Sequence, residues 1–219
     1  ALDEKQQQQI VALLEARSER PLQVLNGRGN VLHTEIAGFG KVVVKRYMRG
    51  GLLRFLVRRT YLRHGPTRAE REFELLEQVR ALGVNAPEPL LYVHRGILWY
   101  DAWLVTREIN APTNFAELSL RDEQQVFVHT DEIVRQISIL IRHGILHVDL
   151  HPGNVVVDEN GKVYLLDFDK AEEFRGGRNA LRDAYLVRWR RAVIKHQLPE
   201  SLSERICPGL RANFEGAGA

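Results

Sequence analysis

Three oxygen-bearing side chains at fixed spacing carry the chemistry that this sequence is equipped for. Asp149 and Asn154 lie five residues apart in His147-Val148-Asp149-Leu150-His151-Pro152-Gly153-Asn154, and Asp167 follows thirteen beyond in Leu165-Leu166-Asp167-Phe168-Asp169. The intervening Val155-Val156-Val157 and Val163-Tyr164-Leu165-Leu166 read as strands joined through Asn160-Gly161, a dipeptide that favours a short hairpin. Such a hairpin returns Asp167 to the side of the loop. Phosphoryl transfer needs a carboxylate to accept or orient the acceptor hydroxyl, metal ligands at the phosphates, and good placement. Asp149 fits the first role. Asn154 and Asp167 fit the second, because their oxygens suit a hard Mg²⁺ ion that keeps several waters.

The elements that must hold these residues are legible in the apolar pattern. Asp3 to Arg17 reads as a short amphipathic helix, followed by strand-like runs at Leu22–Leu25, Val31–Ile36 and Lys41–Tyr47. Ala37-Gly38-Phe39-Gly40 suits the turn between the last two. Thr67 to Leu82 has helical periodicity and stops at Gly83. Two more strands are expected around Leu90–His94 and Ile97–Ile109, joined at Arg95-Gly96. Ser119-Leu120-Arg121-Asp122 reads as a capping box opening a long helix through Arg142, which ends at Gly144. A further helix is expected over Leu181 to Gln197. The order is strand-rich, then helix-rich: an α+β plan with a hinge near Arg107–Asn110.

The loop and the strand exit match the protein-kinase signature H-x-D-L-x-x-x-N followed by D-F-x. Five identities at fixed spacing outweigh the bland alternative, in which His147 and Asp149 merely cap a turn. His147 reads as an orienting residue rather than a base. The resemblance implies a two-lobed kinase-like fold and an ATP- and Mg²⁺-dependent phosphotransferase with Asp149 as base. It implies an N-lobe over 1–109 that clamps nucleotide and a reduced helical C-lobe over 110–219 with the catalytic loop, metal ligands and acceptor side. Lys45, ending Val43-Val44-Lys45, resembles the lysine that clamps ATP phosphates, and Glu72 on the next helix its partner, with Glu70 and Glu74 as alternatives. Gly27-Arg28-Gly29 resembles a shortened phosphate-covering turn, and Glu108 with Ile109 would face adenine by position.

Departures narrow the match. Val148 and Asp169 replace an arginine and a glycine usual in protein kinases, and Ala86-Pro87-Glu88 precedes the catalytic loop instead of following it. About 50 residues follow Asp167, which is short for a peptide-binding lobe. Lys45 through Leu52, Arg68 through Phe73, Tyr100 through Ile109 and Leu166 through Lys170 resemble lipopolysaccharide core kinases of Gram-negative bacteria, most nearly the 3-deoxy-D-manno-octulosonic acid (Kdo) kinase group. That resemblance implies phosphorylation of the Kdo 4-hydroxyl on a lipid A precursor, at the cytoplasmic face of the inner membrane. A heptose kinase of the lipopolysaccharide core, a RIO-like serine/threonine kinase and a catalytically silent lipid-binding module are the alternatives.

Charge distribution bears on the acceptor. From Lys41 to Arg71 there are ten Lys or Arg and a single acid, Glu70, although the whole chain carries only +3. The basic segment 45–63 interleaves Arg46, Arg49, Arg54, Arg58, Arg59 and Arg63 with Leu52, Leu53, Phe55, Leu56, Val57, Tyr61 and Leu62. That mixture suits an anionic membrane surface, and a glycolipid acceptor agrees with it. No zinc knuckle, RNP aromatic set or helix-turn-helix pattern points to nucleic acid. No apolar run reaches membrane-spanning length, no signal peptide is expected, and the single Cys207 reads as an unreactive thiol of a reducing cytoplasm.

Overall fold

Alternation along one strand organises the first part of the chain. The computed structural model describes Ile10, Ala12 and residues 31–47, 61–62, 65–96 and 99–214. Gly27, Gly29, the expected strand Leu22–Leu25, nearly all of the expected helix Asp3–Arg17 and most of the basic segment 45–63 lie outside the described residues. Strands β1 (Val31–Ile36) and β2 (Gly40–Tyr47) form an antiparallel hairpin with Ile36 opposite Gly40. Gly38 and Gly40 take positive φ at this turn, a conformation costly for residues with a Cβ. In β2 the β-branched Val42 and Val44 point to one face, where they bury with Ile10, Ile36, Trp103 and Val105. Lys45 and Tyr47 alternate with them and so belong to the opposite face.

The sheet continues through β3 (Tyr61–Leu62), β4 (Pro89–Arg95) and β5 (Trp99–Arg107), in the order β1-β2-β5-β3 with β4 also paired to β5. Helix α1 (Arg68–Ala81) precedes β4. Its start is a reciprocal capping box: the Glu70 N–H donates to Thr67 Oγ1 at 3.1 Å, and the Thr67 N–H to Glu70 Oε2 at 3.1 Å. The capping-box pattern expected at Ser119 is corrected. Ser119 lies inside a short helix α2 (Phe115–Arg121) that follows strand β6 (Thr113–Asn114), and its buried hydroxyl donates to the Ala116 carbonyl. The long helix α3 (Glu123–Arg142) is instead capped by Asp122, whose Oδ1 accepts the N–H groups of Gln124 and Gln125.

The second half continues with β7 (Ile145–Leu146), β8 (Val155–Val157), β9 (Val163–Leu165) and β10 (Glu172–Glu173). Helices α4 (Arg178–Lys195) and α5 (Ser201–Ala212) complete it. β8 and β9 pair antiparallel about the Asp158–Lys162 loop, and Gly161 takes positive φ there. The chain divides into two compact units. One holds residues up to Glu74 with Glu88–Glu108, and the other holds Leu75–Pro87 with Ile109 onward. The helical unit encloses Ile133, Ile137, Leu140, Ile141, Leu181, Tyr185 and Trp189 in its core.

No helix among the described residues is long and apolar enough to cross a membrane.

Candidate active site

The loop from His147 to Asn154 is held by a series of backbone anchors. His147, directly after β7, is fully buried. Its N–H donates to the Tyr185 hydroxyl at 2.7 Å, and that hydroxyl donates in turn to the Ile145 carbonyl at 2.8 Å. Arg188, on the same helix as Tyr185, donates to the Val148 carbonyl. Pro152–Asn154 then form a single 3₁₀ turn capped by His151, whose Nδ1 accepts the Gly153 N–H at 3.0 Å. A Cβ on Gly153 would sit 2.7 Å from the His151 ring, so a larger residue would have to push that ring from its capping position. Asn114 Nδ2 donates to the Gly153 carbonyl at 2.7 Å, while its Oδ1 caps α2.

The same anchors bring Asp167 to Asn154. The Leu166 N–H donates to the Asn154 carbonyl at 2.8 Å, and His147 Nε2 lies 2.9 Å from the Leu166 carbonyl. A carbonyl only accepts, so Nε2 carries the imidazole proton and Nδ1 is bare. Nδ1 is buried and finds no hydrogen-bond partner among the described residues. Burial pushes the His147 pKa down, because a charged ring would lose its hydration. Phe168 is fully buried with its ring 4.5 Å from that of His147. Asp167 lies between these two fixed neighbours, exposed and with φ of 63°, in the left-handed region that Asp tolerates better than most residues. Strand β9 is fixed upstream as well: Asn85 accepts the Leu165 N–H, and Asn85 and buried Gln136 both donate to the Val163 carbonyl.

Asn154 and Asp149 are joined within the loop. Asn154 Nδ2 donates to the Asp149 carbonyl at 2.8 Å, which commits its nitrogen and leaves Oδ1 as the acceptor end of the amide. Asp149 Oδ2 accepts from Lys170 Nζ at 2.8 Å, and the Asp149 carboxylate raises the Lys170 pKa. Asn154 and Asp167 together offer oxygen donors on hydrogen-bonded backbone, the chemistry a hard divalent cation prefers. Among the described residues no group of three or more His, Cys, Asp and Glu is gathered to hold an ion unaided. One carboxylate and one amide oxygen suit an ion that takes other ligands from phosphate and water.

In the sheet unit, Lys45 Nζ reaches Glu72 Oε2 at 2.9 Å and Oε1 at 3.1 Å. Of the three glutamates considered, Glu70 is engaged in the capping box and Glu74 is exposed, which leaves Glu72 for the lysine. Glu72 is 4% exposed and also accepts from the Tyr47 hydroxyl. Glu108 donates its N–H to the Lys41 carbonyl and pairs its carboxylate with His33 at 2.6 Å. Ile109 opens the helical unit and is partly buried. Arg46 does not take the outward place expected of it in the basic segment. It is 8% exposed, paired with Asp101 at 3.1 Å and stacked 5.5 Å from the Trp103 ring centroid.

Residues 13–207 match the lipopolysaccharide kinase (Kdo/WaaP) family. The chain belongs to that family. A 3-deoxy-D-manno-octulosonic acid kinase of Xylella fastidiosa strain M23 is 31% identical over 83% of this chain and 75% of its own length. Proteins of the same name from Stenotrophomonas maltophilia strain R551-3 and Vibrio vulnificus strain YJ016 are 32% and 28% identical over 77% and 80% of this chain, and 68% and 74% of their own. The lipopolysaccharide-kinase fold is thus α+β and kinase-like, and the chain is a kinase, a phosphotransferase that uses ATP. Within this kinase, Tyr185, Arg188, Asn114 and Lys170 also reach the loop, from positions that no catalytic motif marks. Lys170 directly follows Asp169 in the matching stretch, and that adjacency was the available signal.

Proposed function

We propose that this lipopolysaccharide kinase transfers the γ-phosphoryl group of ATP to the 4-hydroxyl of a Kdo sugar on a lipid A precursor. Asp149 takes the hydroxyl proton as that oxygen bonds to the γ-phosphorus and the bond to the ADP oxygen breaks. Asn154 and Asp167 would hold Mg²⁺, which when bound would neutralise phosphate charge. Lys45, fixed by Glu72, clamps the ATP phosphates; Gly27 and Gly29 cover them, and the backbone of Glu108 and Ile109 faces adenine. Residues 1–109 act as the nucleotide-clamping part and 110–219 as the catalytic and acceptor part. What supports the assignment above all is the pair of hydrogen bonds on Leu166, which joins Asp167 to the loop that carries Asp149 and Asn154. The names of the relatives support a Kdo acceptor.

The enzyme works peripherally at the cytoplasmic face of the Gram-negative inner membrane, with the basic segment 45–63 meeting anionic lipid. The decisive experiment offers γ-labelled ATP and Mg²⁺ with Kdo-lipid A, a heptosylated core and a protein acceptor. Label on Kdo-lipid A is expected. Label on heptose or on protein instead would overturn the acceptor.

A further inference from the structure

The catalytic loop from His147 to Asn154 contains no Lys or Arg, and it carries the Asp149 carboxylate, with Asp167 and Asp169 following strand β9. Such a site repels an anionic acceptor unless a cation stands at it. Arg188 is spent on the Val148 carbonyl, whereas Lys170 reaches the Asp149 carboxylate itself. It leaves the turn after Asp169, and its Nζ donates to Asp149 Oδ2 at 2.8 Å. Its side chain is 62% exposed, against 37% for Asp149. The ammonium has three N–H groups, and one suffices for Asp149. The remaining two stand beside the carboxylate that receives the acceptor hydroxyl. An acceptor whose hydroxyl is held at Asp149 therefore has a cation within reach of any acid group it carries.

We propose that Lys170 is a carboxylate-binding residue of the acceptor site, which selects an acidic sugar by pairing with its carboxylate while Asp149 holds the hydroxyl. This rests on the reading of Asp149 as the group that receives the acceptor hydroxyl. The exposed, flexible lysine arm keeps its contact with Asp149 in the absence of acceptor and turns its other N–H groups toward the incoming acid. A neutral sugar of the same shape gains nothing from Lys170, so the residue discriminates acid from ester.

The test compares a soluble Kdo glycoside with its methyl ester as acceptors for wild type, Lys170→Ala and Lys170→Arg, all with saturating ATP and Mg²⁺. Charge-assisted hydrogen bonds of this kind support an acceptor KM increase of about tenfold to a hundredfold in Lys170→Ala with the acid. The expected kcat change is small, the ester KM stays put, and Lys170→Arg recovers part of the loss. Equal losses on acid and ester, or a loss confined to kcat, would mean that Lys170 acts on the transferring phosphoryl group and would overturn the proposal. Wild type that uses acid and ester equally overturns it as well, while leaving the Kdo acceptor intact. Wild type that phosphorylates neither overturns the acceptor reading, and this inference with it.

Discussion

The imidazole Nε2–H of His147 donates to the carbonyl of Leu166, nineteen residues away, at 2.9 Å. That bond links the fully buried His147 ring to the residue next to Asp167, so His147 helps to fix where Asp167 stands. Replacing His147 with alanine would leave the Leu166 carbonyl unpaired and open a cavity, at a cost on the order of 2–4 kcal/mol.

The same histidine makes stability depend on pH in a defined direction. Its folded pKa lies below the ordinary value near 6.5 because the ring is desolvated. The unfolded chain then binds more protons than the folded one once pH falls through about 6.5. Its contribution is fully present above that pH and is lost as pH falls toward the folded value. Urea unfolding at pH 7.5 and pH 5 should show this loss in wild type and a smaller one in His147→Gln, whose amide can still donate to Leu166. His151 and His129 are shifted down by burial too and stay in both proteins, so the comparison isolates His147. Identical pH slopes would rule this account out.

The ion pair of Lys45 and Glu72 predicts coupled losses in ATP use. Lys45→Ala removes the cation that pairs with Glu72, a carboxylate 4% exposed. Glu72→Gln keeps the cation but weakens what fixes it. Each should lower kcat/KM for ATP, and a double-mutant cycle should give a coupling of about 1 kcal/mol or more. Strictly additive effects would show that the two residues act separately.

How much of this was legible in sequence depended on how local each signal was. The β1–β2 hairpin, α1, α3 and the β8–β9 hairpin each follow from short-range periodicity or from glycine at a turn. Helix α5 was missed because Pro208 and Gly209 interrupt its pattern, although Leu202, Ile206 and Leu210 recur at helical spacing and bury. The start of α3 was displaced because Ser119 and Asp122 both satisfy a capping preference, and tertiary packing of α2 decided between them. Among the candidate site residues, Asp149, Asn154 and Asp167 stood out by type and spacing. Their supports at Tyr185, Arg188 and Asn114 did not. Those residues act through backbone carbonyls and N–H groups from distant elements, and such contacts leave no mark in a linear pattern.

Asp149→Asn separates chemistry from folding. The side chain is partly exposed and bonded to Lys170, an exposed pair of the kind that contributes about 0–1 kcal/mol. The variant should therefore unfold at nearly the wild-type denaturant midpoint. Transfer should fall by about 10²–10⁴-fold, the usual contribution of a general base. Retention of more than a tenth of wild-type transfer would remove Asp149 from that role.

The arginines of the basic segment should divide into two groups with opposite behaviour. Arg46 is buried against Asp101 and Trp103 on the face of the sheet that carries Val42 and Val44. Arg46→Glu would place a second carboxylate beside Asp101 with little solvent, where Arg95 at 3.6 Å from Asp101 is half exposed, and breaking a buried pair alone costs about 3–5 kcal/mol. That variant should lose most of its folded population. Arg54, Arg58 and Arg59 are proposed to meet anionic lipid, where each basic residue near the surface contributes about 1 kcal/mol, screened within a Debye length. Their triple change to Glu should leave the circular dichroism melt near that of wild type, yet abolish flotation with phosphatidylglycerol-containing vesicles at low salt. Activity on a short soluble Kdo acceptor should survive while activity on membrane-embedded acceptor falls. If the triple variant floats like wild type, or if both acceptors lose activity equally, the lipid contact lies elsewhere on the molecule.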